Sequence, residues 1–135
     1  LRIIAADRVF YEGPCLSLIV PAFDGEKEVL AHHESMVIAV TDGEMRYKTE
    51  DDTWHIGYVG RGFVQIANNR VILLTESAEK PEEIDVRRAE EAKEMALEQL
   101  RQKQSIQEYY HSSASLARAM ARLKTSRQTA GKIRI

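Results

Sequence analysis

Between Cys15 and Glu76 the apolar residues come in short bursts, and turn-forming residues break them about every ten positions. The bursts "CLSLIVPA" (15–22), "EVLA" (28–31), "MVIAV" (36–40), "TWHIGYV" (53–59), "GFVQIA" (62–67) and "RVILLTE" (70–76) are rich in β-branched and aromatic side chains. Such segments suit the pleated, half-buried surface of a strand. Asp24-Gly25, Asp42-Gly43, Gly60-Arg61-Gly62 and Asn68-Asn69 separate them, and these residues accept the positive φ of tight turns. Short strands at this spacing predict an N-terminal all-β sandwich or barrel over residues 1–80, not alternating βαβ units.

Past Glu76 the period changes. Ala, Glu, Lys, Arg and Gln dominate through Lys103, behind Pro81, whose missing N–H costs nothing at a helix start. Ala89, Ala92, Ala96 and Leu100 recur at helical spacing and predict one narrow apolar face. "SIQEYYHSS" interrupts this pattern, so Ser112 or Ser113 is the expected N-cap of a second helix with Leu116, Ala119, Met120 and Leu123 on its apolar face. The prediction for residues 81–135 is an antiparallel two-helix hairpin. Its seam is thin: at about 0.8 kcal/mol per buried carbon group, a handful of alanine contacts yields only a few kcal/mol. A second surface or a ligand can therefore shift the hairpin between closed and open states.

A chain of 135 residues, 44% apolar and 30% charged, has enough apolar material to fold and too much for a disordered segment. No run approaches the 18 or so apolar residues of a membrane span, and "LRIIAADR" has no signal-peptide core, so any tie to a membrane is expected to pass through a partner. Cys15, the single cysteine, reads as a small buried hydrophobe. Adjacent His32 and His33 on a strand would point to opposite faces, with no further ligand nearby, and do not make a metal site.

The net charge of −2 hides an asymmetry: Asp and Glu stop before Ser112, while Arg118, Arg122, Lys124, Arg127, Lys132 and Arg134 follow. Such a segment reads either as a solvated cationic face or as a contact for a polyanion or an acidic protein surface. Tyr109 and Tyr110 precede the basic stretch and no aromatic follows, which disfavours nucleic acid. No Ser/His/Asp, Cys/His or paired-carboxylate arrangement is legible, so the chain is not expected to be an enzyme.

The "IDVRRA" stretch, residues 84–89, places Asp85 and Arg88 three apart on one helix face, and Arg118 and Arg122 share a face four apart. Asp85 can cap the helix or complement its positive end. With Arg88 it can form an ordinary exposed ion pair, or the arginines of both helices can converge on one anion. Arginine suits the second role because its planar fork donates paired hydrogen bonds to phosphate oxygens. "VGRGF" has neither P-loop nor Rossmann spacing, so recognition would rest on side chains.

A β domain followed by a charged, Ala-rich hairpin resembles the epsilon subunit of the bacterial F-type ATP synthase. The junction carries the resemblance: Gly62-Phe63, an aliphatic strand, Ala78-Glu79, then Ile-Asp-x-x-Arg-Ala at 84–89. Where many relatives have Gly-x-Leu-Pro-Gly-His-x-Pro, this chain has "EVLAHHES", keeping Leu30 and His33.

The resemblance implies a non-catalytic rotor subunit that couples ion translocation to ATP synthesis. It would sit at the cytoplasmic face of the cell membrane without inserting, with the gamma subunit, the membrane rotor ring and the beta subunit as partners and His33 at the ring contact. It implies ATP as a regulatory ligand on Glu79, Asp85, Arg88, Ala89, Arg118 and Arg122. It further implies inhibition of hydrolysis through Arg118, Arg122, Lys124 and Arg127. The alternative is a stand-alone ATP-sensing or protein-interaction module.

Overall fold

The computed structural model describes residues 1–102 and 105–133, with side chains in the second stretch as far as Arg127. It contains two compact units, Leu1–Lys80 and Pro81–Ile135. Lys103 and Arg134 and the side chain of Lys132 lie outside what is described.

The first unit is a sandwich of two five-stranded sheets. One sheet has the order β2 (Val9–Glu12), β1 (Arg2–Ala5), β9 (Arg70–Thr75), β8 (Gly62–Ala67) and β5 (Met36–Val40). The other has β10 (Ala78–Glu79), β7 (Trp54–Val59), β6 (Gly43–Lys48), β3 (Ser17–Ala22) and β4 (Gly25–Leu30). All pairs are antiparallel except β1 with β9. Ile3, Leu18, Val20, Met45, Val59, Val64 and Leu73 fill the space between the sheets.

The sandwich matches the expected class, and β5 and β8 fall where the pattern puts them. Strands β1, β2, β6 and β10 are additions. In "GEMRYK" only Met45 and Tyr47 alternate inward between polar neighbours, and β1 relies on a parallel neighbour 70 residues away in sequence. Two turns behave as anticipated: Gly25 has φ 118, and Asn68 and Asn69 have φ 52 and 60 between the paired Ala67 and Arg70. Gly43 is instead a buried strand residue whose added Cβ would meet Pro21 at 3.1 Å. Gly60 and Gly62 likewise keep ordinary φ.

In the second unit a single 3₁₀ turn (Pro81–Glu83) precedes α1 (Val86–Arg101) and α2 (Ile106–Ile133). Helix α1 stops two residues short of Lys103. Helix α2 starts at Ile106, six residues ahead of the anticipated Ser112, because Ser105 forms a capping box: its Oγ accepts from Glu108 N–H at 3.2 Å, and Glu108 Oε2 accepts from Ser105 N–H at 3.2 Å. "S-I-Q-E" thus begins the helix that it had seemed to interrupt.

Ser112 is buried and donates across the hairpin to Gln99 Oε1 at 3.1 Å. The buried seam contains Ala89, Ala96, Ala119 and Leu123. Four anticipated members are not buried in it: Ala92 is exposed, Met120 is 51% exposed, and Leu100 and Leu116 are half-buried. At 100° per residue Ala92 and Lys93 lie equally far from the line through Ala89 and Ala96, on opposite sides of it, and of the two Lys93 is the half-buried one.

Candidate functional site

The Asp85 carboxylate caps α1, accepting from the Arg88 backbone N–H at 3.1 Å. Of the roles open to Asp85, the folded chain shows the cap, made to the Arg88 backbone and not to its guanidinium. The ion pairs along α1 are Arg87–Glu91 at 3.2 Å and Glu98–Arg101 at 3.3 Å. Removing the cap in Asp85→Ala is expected to cost about 1 kcal/mol of helix stability, as N-cap deletions do. Circular dichroism should show the lost helicity, largely restored in Asp85→Asn, whose amide oxygen can still accept.

The Ser112–Gln99 bond fixes the antiparallel register. Counting outward from it, Arg122 comes level with Arg88 and Ala89, and Arg118 lies one turn away beside Lys93. Ala89 is buried in the seam. Arg88 is exposed, while Arg118 and Arg122 are half-buried, with Arg118 Nη2 donating to Ser115 Oγ at 3.1 Å. Glu79 belongs to the sandwich unit, half-buried in β10 opposite Tyr58. The register thus brings one arginine of each helix to the same level.

The four cations grouped from sequence separate into two pairs. Relative to the seam residues Ala119 and Leu123, Arg118 and Arg122 lie on one flank of α2, and Lys124 and Arg127 lie on the other. Lys124 and Arg127 are exposed, and with Lys93, Met120, Ala121 and Leu123 they line a cleft of about 450 Å³. An adjoining cleft of about 570 Å³ shares Lys93, Leu123 and Arg127 and adds Arg87, Glu90, Glu91 and Glu94.

On the sandwich, the histidines occupy a turn after β4 and not a strand. His32 has φ 61, and its N–H donates to Asn69 Oδ1 at 2.8 Å. His33 Nδ1 lies 2.8 Å from the Glu34 carbonyl oxygen. Leu16, Leu30, Ala31 and Asn69 border a recess of about 220 Å³. Cys15 is half-buried, its Sγ donating to Ser17 O at 2.9 Å. Burial pushes its thiol above the ordinary range against smaller backbone hydrogen-bond effects.

A second surface went unread in the sequence. On the outer face of the first sheet, Ala39, Phe63 and Leu74 are cross-strand partners in one row. Phe63 is 57% and Leu74 46% exposed, and Phe23 on the β3–β4 turn is 96% exposed. Together they border a groove of about 670 Å³ rimmed by Arg61 and Glu76. Exposed apolar area gathered in this way marks contact surfaces. A signal was available: with Val64 and Ile66 pointing inward, period two puts Phe63 outward.

The model of the ATP synthase delta/epsilon chain β-sandwich domain matches residues 1–81, and that of the same chain's long α-helix domain matches residues 82–127. The chain is 42% identical over 126 residues to the ATP synthase epsilon chain of Ruminiclostridium cellulolyticum, covering 93% of both chains. It is 37% identical over 124 residues to that of Caldanaerobacter subterraneus subsp. tengcongensis, covering 92% of this chain and 90% of the relative. Its fold is similar to a chain in the OSCP/F1/c-ring assembly of Euglena gracilis mitochondrial ATP synthase. That match has TM-score 0.77 and 21% identity, and covers 96% of this chain and 78% of the other.

Proposed function

The chain belongs to the delta/epsilon family of ATP synthase chains, and from that premise we propose that it is a non-catalytic central-stalk subunit whose helices brake ATP hydrolysis. In this reading the sandwich docks on the gamma subunit through the Phe63–Leu74 face, and the His33 end meets the membrane rotor ring. The complex holds the chain at the cytoplasmic face of the membrane, and among the described residues no helix is long and apolar enough to cross it.

The observation that carries the regulatory part is the seam. Three of its buried members are alanines, so little apolar area opposes opening. Released and extended, roughly 45 helical residues at about 1.5 Å each reach on the order of 70 Å. The basic part of α2 would then meet an acidic surface on the beta subunit, giving salt-sensitive inhibition. ATP would favour the closed hairpin by mass action. Arg88 and Arg122, level with each other, would hold phosphate oxygens, with Arg118, Asp85 and Ala89 on the same hairpin.

Arg118→Ala with Arg122→Ala tests this. Losing charge-assisted hydrogen bonds of about 1.5 to 3 kcal/mol each predicts at least about tenfold weaker ATP binding by titration calorimetry. Hydrolysis by the reconstituted complex should also rise at low ATP. Hydrolysis unchanged by the substitutions would count against the brake.

A further inference from the structure

Lys93 borders the seam. Ala89 and Ala96 beside it are buried apolar residues, and its own side chain is half-buried. Lysine tolerates such a site by burying its stem and sending the ammonium outward, and here Lys93 borders the cleft containing Lys124 and Arg127 as well as the adjoining one. Among the described residues no carboxylate lines that cleft, and the rest of its lining is Met120, Ala121 and Leu123. Among the described residues none of the three cations forms an ion pair. Glu90, Glu91 and Glu94 border the adjoining cleft, which Lys93 and Arg127 also line.

Three cations gathered on one recess repel one another, and the glutamates of the adjoining cleft face only two of them, Lys93 and Arg127. An anion seated in the recess relieves that repulsion. We propose that the cleft formed by Lys93, Lys124 and Arg127 binds a multivalent phosphate chain, at a site separate from the Arg88–Arg122 level. The separation is geometric: Lys124 and Arg127 lie across the seam from Arg118 and Arg122. A compact anion fits because the three cations come from both helices and close on one recess, and lysine and arginine both bind phosphate oxygens. A volume of about 450 Å³ lies within the common range for ligand sites. Occupancy would clamp α1 to α2 and cover two of the cations assigned to the brake. That consequence rests on the reading above; the binding itself does not.

The test titrates the full chain with sodium tripolyphosphate and, in parallel, ATP, at about 0.1 M salt so that diffuse surface attraction is screened. Lys93→Gln, Lys124→Gln and Arg127→Gln together should weaken tripolyphosphate binding at least tenfold, while Arg118→Ala with Arg122→Ala should leave it within twofold. Equal affinity before and after the triple substitution overturns the proposal, as does loss confined to the Arg118/Arg122 variant.

Glu90→Gln with Glu94→Gln provides a second readout that needs no cation removed. Tightening by severalfold supports the site, and unchanged or weaker binding overturns it. If ATP binding weakens with the same triple substitution and exceeds tripolyphosphate binding, the source is a nucleotide; equal affinities identify the free chain. A polyglutamate peptide that binds more tightly than tripolyphosphate and is lost on the triple substitution overturns the phosphate assignment in favour of a protein partner.

Discussion

Gly62→Ala is expected to destabilise the sandwich by more than about 3 kcal/mol, in the range that only core or backbone disruption reaches. Gly62 opens β8 and pairs with Val40 on one side and Thr75 on the other. An added Cβ would run into the Leu74 carbonyl oxygen and stand 2.8 Å from both the Leu74 carbonyl carbon and Thr75 Cα. These atoms are backbone in a central strand and cannot swing aside as a flexible side chain would. Relief requires β8 and β9 to separate where Thr75 Oγ1, itself buried, donates to Gly60 O at 2.9 Å. For a domain of this size the melting temperature should fall by more than about 12 °C. Urea unfolding followed by tryptophan fluorescence gives the free energy, and a midpoint equal to that of the unmodified chain would show that the strands yield freely.

Phe63→Asp is expected to leave the sandwich folded and to weaken association with the rotor partner at least a hundredfold. Phe63 is 57% exposed, so a carboxylate there meets water and costs the isolated chain little. In a complex the same carboxylate would be stripped of water against an apolar surface. Truncating a central aromatic anchor typically costs about 2 to 4 kcal/mol of binding, and an unpaired buried charge adds to that. The row Ala39–Phe63–Leu74 continues across β5, β8 and β9, so Leu74→Asp should behave alike. Copurification with the gamma subunit and an unchanged circular dichroism spectrum are the two readouts. Undiminished copurification would move the docking surface elsewhere on the sandwich.

The contrast between the two residues shows how far local pattern can be read. Gly62 and Phe63 are adjacent, and in sequence they resemble a turn glycine followed by a core aromatic. In the fold the glycine permits a close backbone approach and the aromatic faces outward. Period two could have assigned Phe63 to the opposite face from Val64 and Ile66, but which face meets the second sheet depends on partners far along the chain. The helices show the same limit. Ser105 and Glu108 were legible as a capping box, yet the Ala-rich period that seemed to end there concealed it. Ala92 and Lys93 flank the Ala89–Ala96 line at equal angles, yet Ala92 is exposed and Lys93 half-buried.

The sequence alone determined the β-then-α order, the strands β5 and β8, the positive-φ turns at Gly25 and Asn68-Asn69, and the availability of Asp85 as a cap. Each depends on neighbours within a few residues, where sterics and hydrogen-bond reach limit the choices. Only the tertiary structure decided that β1 lies parallel to β9, that Ser112 bonds to Gln99, and that the basic residues of α2 divide between two flanks. Those outcomes depend on which distant segments bury area together, and no short stretch of the chain contains that information.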